Sequence, residues 1–148
     1  MPETISRMTA PTSDAVARCT EFAAAQAREA GFSLARVHEI ELAVEEIVSN
    51  ICRHSYNDRP GSVELCCRRF DGSKLALEFI DYGRPFDMLA LPHPDLSVDL
   101  DQREDGGIGV PMLRALVDRA TYRREAARNS LCVIVHAEPR LVGNPTAT

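Results

Sequence analysis

The sequence lacks several features that would assign it to a class of protein at once. No apolar run is long enough for a membrane-spanning helix. The first ten residues contain no basic segment followed by an apolar core, so we expect neither a membrane anchor nor a signal peptide. The five cysteines form no Cys-x-x-Cys pair, which argues against a structural zinc site. Their odd number is typical of reduced thiols, so we expect a cytoplasmic protein.

Basic residues are in deficit as well. The 17 Lys and Arg residues stand against 22 Asp and Glu residues, which gives a formal net charge of −5. Proteins that bind nucleic acid normally carry a basic patch or stripe, so direct nucleic-acid binding is not expected. With 148 residues, 45% of them hydrophobic, the chain has the composition of one globular domain. We assign residues 1–140 to that domain and expect 141–148 to be a frayed tail.

Hydrophobic periodicity predicts an α/β arrangement of the α+β kind. Ser13 and Ser33 are predicted to cap two helices, at 14–30 and from 33 to about 56. A loop at 86–105 is predicted to precede a short helix at 108–119. Alternating segments predict five strands, at 3–8, 63–68, 75–80, 120–125 and 131–138. Two turns, at 71–72 and 127–129, are predicted to join the second strand to the third and the fourth to the fifth. This order predicts a two-layer sandwich in which helices cover one face of a mostly antiparallel mixed sheet.

The second half of the long predicted helix carries a polar line beside its apolar stripe. Glu46 and Asn50 are i, i+4 neighbours that share one face, and His54 lies one step further along. A carboxylate and an amide oxygen at this spacing can serve as a base and as a ligand of a hard cation. A solvated helix flank would show the same pattern, and a hydrogen bond to backbone or water is the default expectation for His54.

A second cluster follows the predicted strand at 75–80. Asp81 ends that strand, and Gly83 stands two residues later. The carboxylate could accept a hydrogen bond from an exocyclic amine, while the glycine lets a flat ring approach the backbone. The alternative is an ordinary strand-to-loop turn, in which Asp, Gly and Pro are the usual residues.

The third cluster, at 106–109, runs three glycines straight into the last predicted helix. Exposed N–H groups at a helix N-terminus bind anions, and glycines let a phosphate approach closely. A flexible hinge is the alternative. The segment is not a Walker A loop, because no Gly-Lys-Ser/Thr follows, and no parallel βαβ unit surrounds it as a Rossmann fingerprint requires.

Taken together and in this order, the three clusters resemble the N, G1 and G2 boxes of the GHKL ATPase superfamily. That superfamily has the Bergerat-type ATP-binding fold of histidine kinases and gyrase. The chain is most similar to bacterial anti-sigma factor serine/threonine kinases in the runs 46–56, 81–86 and 106–118 and at the strand start 129–131. Arg84 and Pro85 depart from histidine kinases, which usually have a further glycine here. This departure favours the anti-sigma branch and implies a stiffer loop.

The resemblance implies ATP and Mg²⁺ as ligands. Asn50 would coordinate Mg²⁺, and Glu46 would be the general base toward a serine or threonine hydroxyl of a partner protein. Asp81 would bond the adenine amino group, and Gly83 would give the ring room. The remaining ATP-binding positions lie in the phosphate segment and the lid, namely Gly107, Ile108, Gly109 and Arg103.

The predicted loop at 86–105 lies where this superfamily has its ATP lid. Between residues 87 and 105 it holds six acids and one arginine, Arg103. The acids would repel a triphosphate, so we expect most of them to face solvent or a partner. Arg103 is the candidate lid cation, and a solvated arginine is the alternative.

The resembled family also implies partners. Its members bind a sigma factor or similar regulator in one state, phosphorylate a STAS-type anti-sigma factor antagonist in another, and commonly form homodimers. Two alternatives stay open. One is a catalytically quiet ATP-binding regulatory module that acts only through protein–protein binding. The other, a detached histidine-kinase catalytic domain, is disfavoured because no helical hairpin with an acceptor histidine precedes the domain.

Overall fold

The structure of the chain is a computed structural model that describes residues 4–91 and 109–137. Five strands and three α-helices follow one another, with a π-helical turn at Ile51–Ser55 that continues α2 and a short 3₁₀ turn at Met88–Ala90. In chain order they are β1 (Thr4–Pro11), α1 (Ala15–Glu29), α2 (Leu34–Asn50), β2 (Ser62–Phe70), β3 (Lys74–Asp81), α3 (Gly109–Leu116), β4 (Arg119–Glu125) and β5 (Arg128–His136).

The strands form one sheet in the order β1-β2-β3-β5-β4, and all four pairings are antiparallel. Alternate residues of β2, β3 and β5 are fully buried, as a sheet with one face on the core requires. These side chains share one hydrophobic cluster with the apolar stripe of α2 and the alanines of α1. The predicted α+β sandwich is confirmed. No helix in the described ranges is long and apolar enough to cross a membrane.

The starts of the two long helices show one correct and one wrong prediction. The Ser33 hydroxyl accepts a hydrogen bond from the backbone N–H of Arg36 at 3.1 Å, so Ser33 is the predicted N-cap of α2. The first helix instead begins at Ala15 after Asp14, and no side chain caps it, so the prediction of Ser13 is wrong. Gly31, with φ of +86°, follows the end of α1 as predicted.

The C-terminal elements differ more from the prediction. Helix α3 ends at Leu116, three residues before the predicted end, because β4 already begins at Arg119. The turn between β4 and β5 consists of Ala126 and Ala127, both with positive φ, and not of residues 127–129. Asn129 therefore lies inside β5, where it pairs with Asp81 of β3. The predicted tail at 141–148 and most of the predicted loop, from residue 92 onward, lie outside the described residues.

Candidate functional site

The polar line of the long helix is present as a direct contact. The Asn50 side chain is buried, and its Nδ2 donates to the backbone carbonyl oxygen and to Oε1 of Glu46, both at 2.8 Å. Both bonds use the amide nitrogen of Asn50, so neither uses its Oδ1. An amide oxygen held in one orientation by its own NH₂ group has the chemistry of a ligand for a hard cation such as Mg²⁺.

A π-helical turn carries the helix on past Asn50. The backbone N–H of Tyr56 bonds to the carbonyl oxygen of Ile51, five residues back, at 3.2 Å. Such turns widen a helix locally and are frequent at functional sites. This one brings Ser55 to the end of β3, where its Oγ lies 3.4 Å from Oδ2 of Asp81. The ring of His54 stacks on Phe86, with centroids 4.8 Å apart.

Asp81 ends β3 as predicted, and it is 2% exposed. Its Oδ1 accepts hydrogen bonds from the backbone N–H of Gly83 at 3.0 Å and from Nδ2 of Asn129 at 2.8 Å. Burial raises the pKa of this carboxyl above its ordinary value, while the bonds from Asn129, Gly83 and Ser55 act in the opposite direction. The result is a buried carboxyl group whose second oxygen, Oδ2, receives from the described residues one long hydrogen bond, from Ser55.

Gly83 is required by the protein itself. A Cβ atom at this position would lie 2.4 Å from the backbone carbonyl oxygen of Ser55, which is closer than real Cβ atoms come to backbone. The loop after β3 therefore rests directly on the end of the π-helical turn. The role of Gly83 in giving a base room stays a prediction.

Further hydrogen bonds fix the loop that follows Gly83. Arg84 donates to the π-helical turn through its backbone N–H, to Ser55 O at 2.9 Å, and through its side-chain Nε, to His54 O at 2.6 Å. From β4, Arg124 donates to the carbonyl oxygen of Gly83 at 2.8 Å. Arg84, one of the two residues at which this chain differs from histidine kinases, thus has a local function. Its guanidinium group binds a carbonyl oxygen near the end of the helix.

Asn129 is the site residue that the sequence analysis missed. Its side chain joins Asp81 to the loop, because Nδ2 also donates to the carbonyl oxygen of Arg84 at 2.8 Å. Its Oδ1 accepts hydrogen bonds from the backbone N–H of Phe86, at 3.2 Å, and from the hydroxyl of Tyr122. The sequence placed Asn129 in the predicted turn at 127–129 and at the strand start that resembles the family, but gave it no part in the site. Its register opposite Asp81 in the sheet indicates that part.

The described residues leave little open space beside Asp81. A cavity of about 10 Å³ is lined by Ile51, Asp81, Phe86, Met88, Tyr122, Asn129 and Leu131. That volume holds about one water molecule. A purine ring entering this cavity would therefore require lining side chains to move.

The phosphate segment is described only in part. Gly109 is the first residue of α3, so a glycine opens this helix as predicted. Gly107, Ile108 and Arg103 lie outside the described residues, as do the lid acids from Asp95 to Asp105. Of the lid acids, Asp87 is described, and its Oδ1 accepts from the backbone N–H of Leu89 at 2.9 Å, which begins the 3₁₀ turn.

The site combines a Glu–Asn pair on a helix, a buried aspartate at the end of a strand and a helix that begins with glycine. Residues 9–135 match the histidine kinase-like ATPase domain, and the chain belongs to that family. The predicted membership in the GHKL superfamily is confirmed.

Among its relatives, the serine-protein kinase RsbW of Staphylococcus epidermidis is 30% identical over 104 residues, 66% of this chain and 64% of the relative. The serine/threonine-protein kinase BtrW of Bordetella bronchiseptica is 26% identical over 68% of this chain and 70% of its own. RsbW of Halalkalibacterium halodurans is 24% identical over 84% of this chain and 78% of its own. The first of these alignments thus covers less than two thirds of the relative's length. These similarities agree with the kinase branch that the sequence indicated.

Proposed function

We propose that this protein is an ATP-dependent protein serine/threonine kinase. The observation that carries the proposal is the Glu46–Asn50 pair, which presents a carboxylate and an oriented amide oxygen on the helix that leads to Asp81. Family membership supports ATP as the substrate, and the relatives named as serine-protein kinases support a protein hydroxyl as acceptor.

The base of ATP would bind at Asp81. Oδ1 of this residue is already occupied by two N–H donors, whereas Oδ2 receives, from the residues that the structure describes, the 3.4 Å contact of Ser55 alone. A 3.4 Å separation is long for a bond between a hydroxyl and a carboxylate. Oδ2 is therefore the atom available to accept the exocyclic amine of adenine, next to Gly83.

The triphosphate would lie between Asn50 and the start of α3. Asn50 Oδ1 would hold Mg²⁺, which neutralises phosphate charge when it is bound and normally takes most of its ligands from phosphates and water. In the described ranges, no three His, Cys, Asp or Glu side chains gather to hold a metal without such help. Gly107, Ile108 and Gly109 would receive the phosphates on their backbone N–H groups, with Arg103 as the lid cation.

In the phosphoryl transfer step, Glu46 would act as the general base. The acceptor hydroxyl oxygen attacks the γ-phosphorus, the bond from that phosphorus to the β–γ bridging oxygen breaks, and ADP leaves with that electron pair. Glu46 takes the hydroxyl proton. Since Oε1 accepts from Asn50, the carboxylate is oriented and Oε2 is left to act as the base.

The resemblance extends the proposal to partners. A STAS-type anti-sigma factor antagonist would be the phosphoryl acceptor, and a sigma factor or similar regulator would be the second partner, bound by a homodimer in the cytoplasm. The sequence similarity to serine-protein kinases supports this assignment.

Nucleotide binding can be tested by thermal unfolding. Mg-ATP at about 100 times its Kd should stabilise the wild type by about 2.7 kcal/mol, which raises Tm by roughly 5–10 °C. Asn50→Ala should remove most of that shift. A wild type that gains no stability from Mg-ATP would show that this site does not bind the nucleotide.

Phosphoryl transfer needs a separate test on a co-purified partner. Glu46→Gln should keep ATP binding and lower kcat for partner phosphorylation by about 10²–10⁴-fold. Glu45→Gln is the matched control, because Glu45 is the neighbouring acid but is exposed. If the wild type binds ATP and the partner but transfers no phosphate, the protein is the catalytically quiet module.

A further inference from the structure

The amide of Asn129 is completely engaged by the protein. The side chain is 3% exposed, and its two N–H groups and both oxygen lone pairs have partners in Asp81, Arg84, Phe86 and Tyr122. It can therefore contact a ligand only by giving up one of these bonds. Its influence on binding must act through the groups that it holds.

The direction of these bonds fixes the orientation of the amide. The backbone N–H of Phe86 can only donate, so the Asn129 atom that it meets is the oxygen. The amide nitrogen must then face Asp81. The backbone N–H of Gly83 meets the same carboxyl oxygen of Asp81. With two N–H donors directed at it, Oδ1 of Asp81 cannot carry a proton.

Any proton on Asp81 must therefore be on Oδ2. An ionised Asp81 offers Oδ2 as a hydrogen-bond acceptor, and a protonated Asp81 offers it as a donor. Adenine carries an amino group at C6, whereas guanine and hypoxanthine carry an oxygen there. The protonation state of Asp81 thus decides which purine edge the site accepts.

We propose that Asn129 is the positioning residue that keeps Asp81 an acceptor, so that the site selects 6-aminopurine over 6-oxopurine nucleotides. This inference rests on the proposed binding of the base at Asp81. It assigns the selectivity to a residue outside the three boxes, on the neighbouring strand of the sheet.

The surroundings of Asp81 show why such a residue is needed. Burial favours the neutral acid, and the bond from Asn129 is the largest of the effects that favour the carboxylate. Gly83, Ser55 and the charge of Arg124 add smaller contributions in the same direction. In the part of the chain that the structure describes, the other titratable groups near Asp81 are the Cys52 thiol on the π-helical turn and the Tyr122 hydroxyl on β4. Raised pKa values keep both groups neutral near pH 7.

Calorimetric titration with ATP and inosine triphosphate from pH 5.5 to 8.5 tests the proposal. The wild type should prefer ATP by at least about 100-fold at pH 7.5, and this preference should fall as acid protonates Asp81. In Asn129→Leu the fall should begin at higher pH, so that over the pH range in which Asp81 titrates the preference lies about tenfold or more below that of the wild type at the same pH. Ser130→Ala, which removes only a bond to Glu78, should behave as wild type.

The outcomes separate the proposal from its premise. If the wild type binds neither nucleotide, the proposed function fails. If Asn129→Leu loses affinity for both nucleotides equally, or keeps the wild-type preference and pH profile, Asn129 is merely structural and the inference is wrong. Should Asn129→Leu not fold, Tyr122→Phe decides. Removing the hydroxyl that helps to orient Asn129 should lower the preference by about threefold, and no change would overturn the inference.

Discussion

Two buried polar networks among the described residues differ in how completely their groups are paired. Arg36, on the first turn of α2, is 2% exposed and bonds to the carbonyl oxygens of Leu116 and His136 and to the carboxylates of Glu39 and Asp118. Oδ2 of Asp118 also accepts from the backbone N–H of His136 at 2.8 Å. This network binds the ends of α3 and β5 to the start of α2.

The Asp81 network is built from the same kinds of groups, but one carboxyl oxygen of Asp81 is only weakly hydrogen-bonded by the described residues. Asn129 is fully bonded, whereas within residues 4–91 and 109–137 Oδ2 of Asp81 has only the long contact from Ser55. Buried polar groups are normally paired, because an unpaired group loses its hydration without compensation. We therefore propose that the Arg36 network stabilises the fold and that a ligand completes the Asp81 network.

Replacing Arg36 should lower the free energy of unfolding more than any other substitution considered. Arg36→Met leaves the carboxylate of Asp118 buried without its ion-pair partner, which destabilises proteins by about 3–5 kcal/mol. We expect a loss of this size in the free energy of unfolding, measured by urea denaturation. Arg18→Met, at an exposed arginine of α1, is the control. A loss below about 1 kcal/mol for Arg36→Met would show that this network does not stabilise the fold.

The next effect should come from Gly83→Ala. The added methyl group would meet the Ser55 carbonyl at 2.4 Å, and such overpacking typically costs about 1–3 kcal/mol of stability. Because the loop must shift away from the π-helical turn, we also expect weaker ATP binding. An alanine variant with unchanged stability and affinity would contradict the close contact between the loop and the helix.

Asp81→Asn should separate binding from stability. With its Oδ1 held by Gly83 and Asn129, the variant presents an NH₂ donor where Oδ2 stands in the wild type, so it cannot accept the adenine amino group. We expect ATP affinity to fall by about 10–100-fold, roughly 1.4–2.7 kcal/mol. The free energy of unfolding should change by less than about 1 kcal/mol, because Asn keeps an acceptor for Gly83 and Asn129. Equal losses of stability and affinity would indicate that Asp81 is structural, as Arg36 is.

The same variant has a defined pH dependence. Burial raises the pKa of Asp81 in the folded state above its unfolded value. The contribution of Asp81 to stability is therefore complete below the unfolded pKa and is lost as pH rises through the folded pKa. Asn does not titrate, so in unfolding measured from pH 4 to pH 8 the stability of Asp81→Asn relative to wild type should rise with pH until the folded pKa of Asp81 is passed and stay level above it. A difference that stays constant over this range would contradict the raised pKa.

The smallest changes in stability and ATP affinity are expected for Arg124, at the solvent-exposed edge of the Asp81 network. Arg124 is exposed, and its bond to the Gly83 carbonyl is open to solvent. We expect Arg124→Ala to change the free energy of unfolding by less than about 0.5 kcal/mol and ATP affinity by a few-fold. A larger loss of affinity would place Arg124 in contact with the nucleotide.

Local signals predicted most of the fold because the structure uses them directly. The apolar stripe of α2, the capping by Ser33 and the alternation of β2 and β3 depend on residues that are neighbours in the chain. Glu46 and Asn50 were identifiable for the same reason, since their contact spans four residues.

The two networks could not be predicted in the same way. Arg36 bonds to partners 80, 82 and 100 residues away, and no local pattern marks it as buried. Asn129 suggested a turn because asparagine favours turns, yet two alanines with positive φ form that turn and Asn129 lies in the strand. In both cases, sheet pairing or tertiary packing decides what the residue does.

We propose above all that the Asp81 network binds the base of ATP. Its most direct test is calorimetric titration of wild type and Asp81→Asn with Mg-ATP at pH 7.5, with both proteins confirmed to be folded. We predict saturable binding to the wild type and at least about tenfold weaker binding to the folded variant. Equal affinities, or no binding to the wild type, would show that the base of ATP does not bind at Asp81.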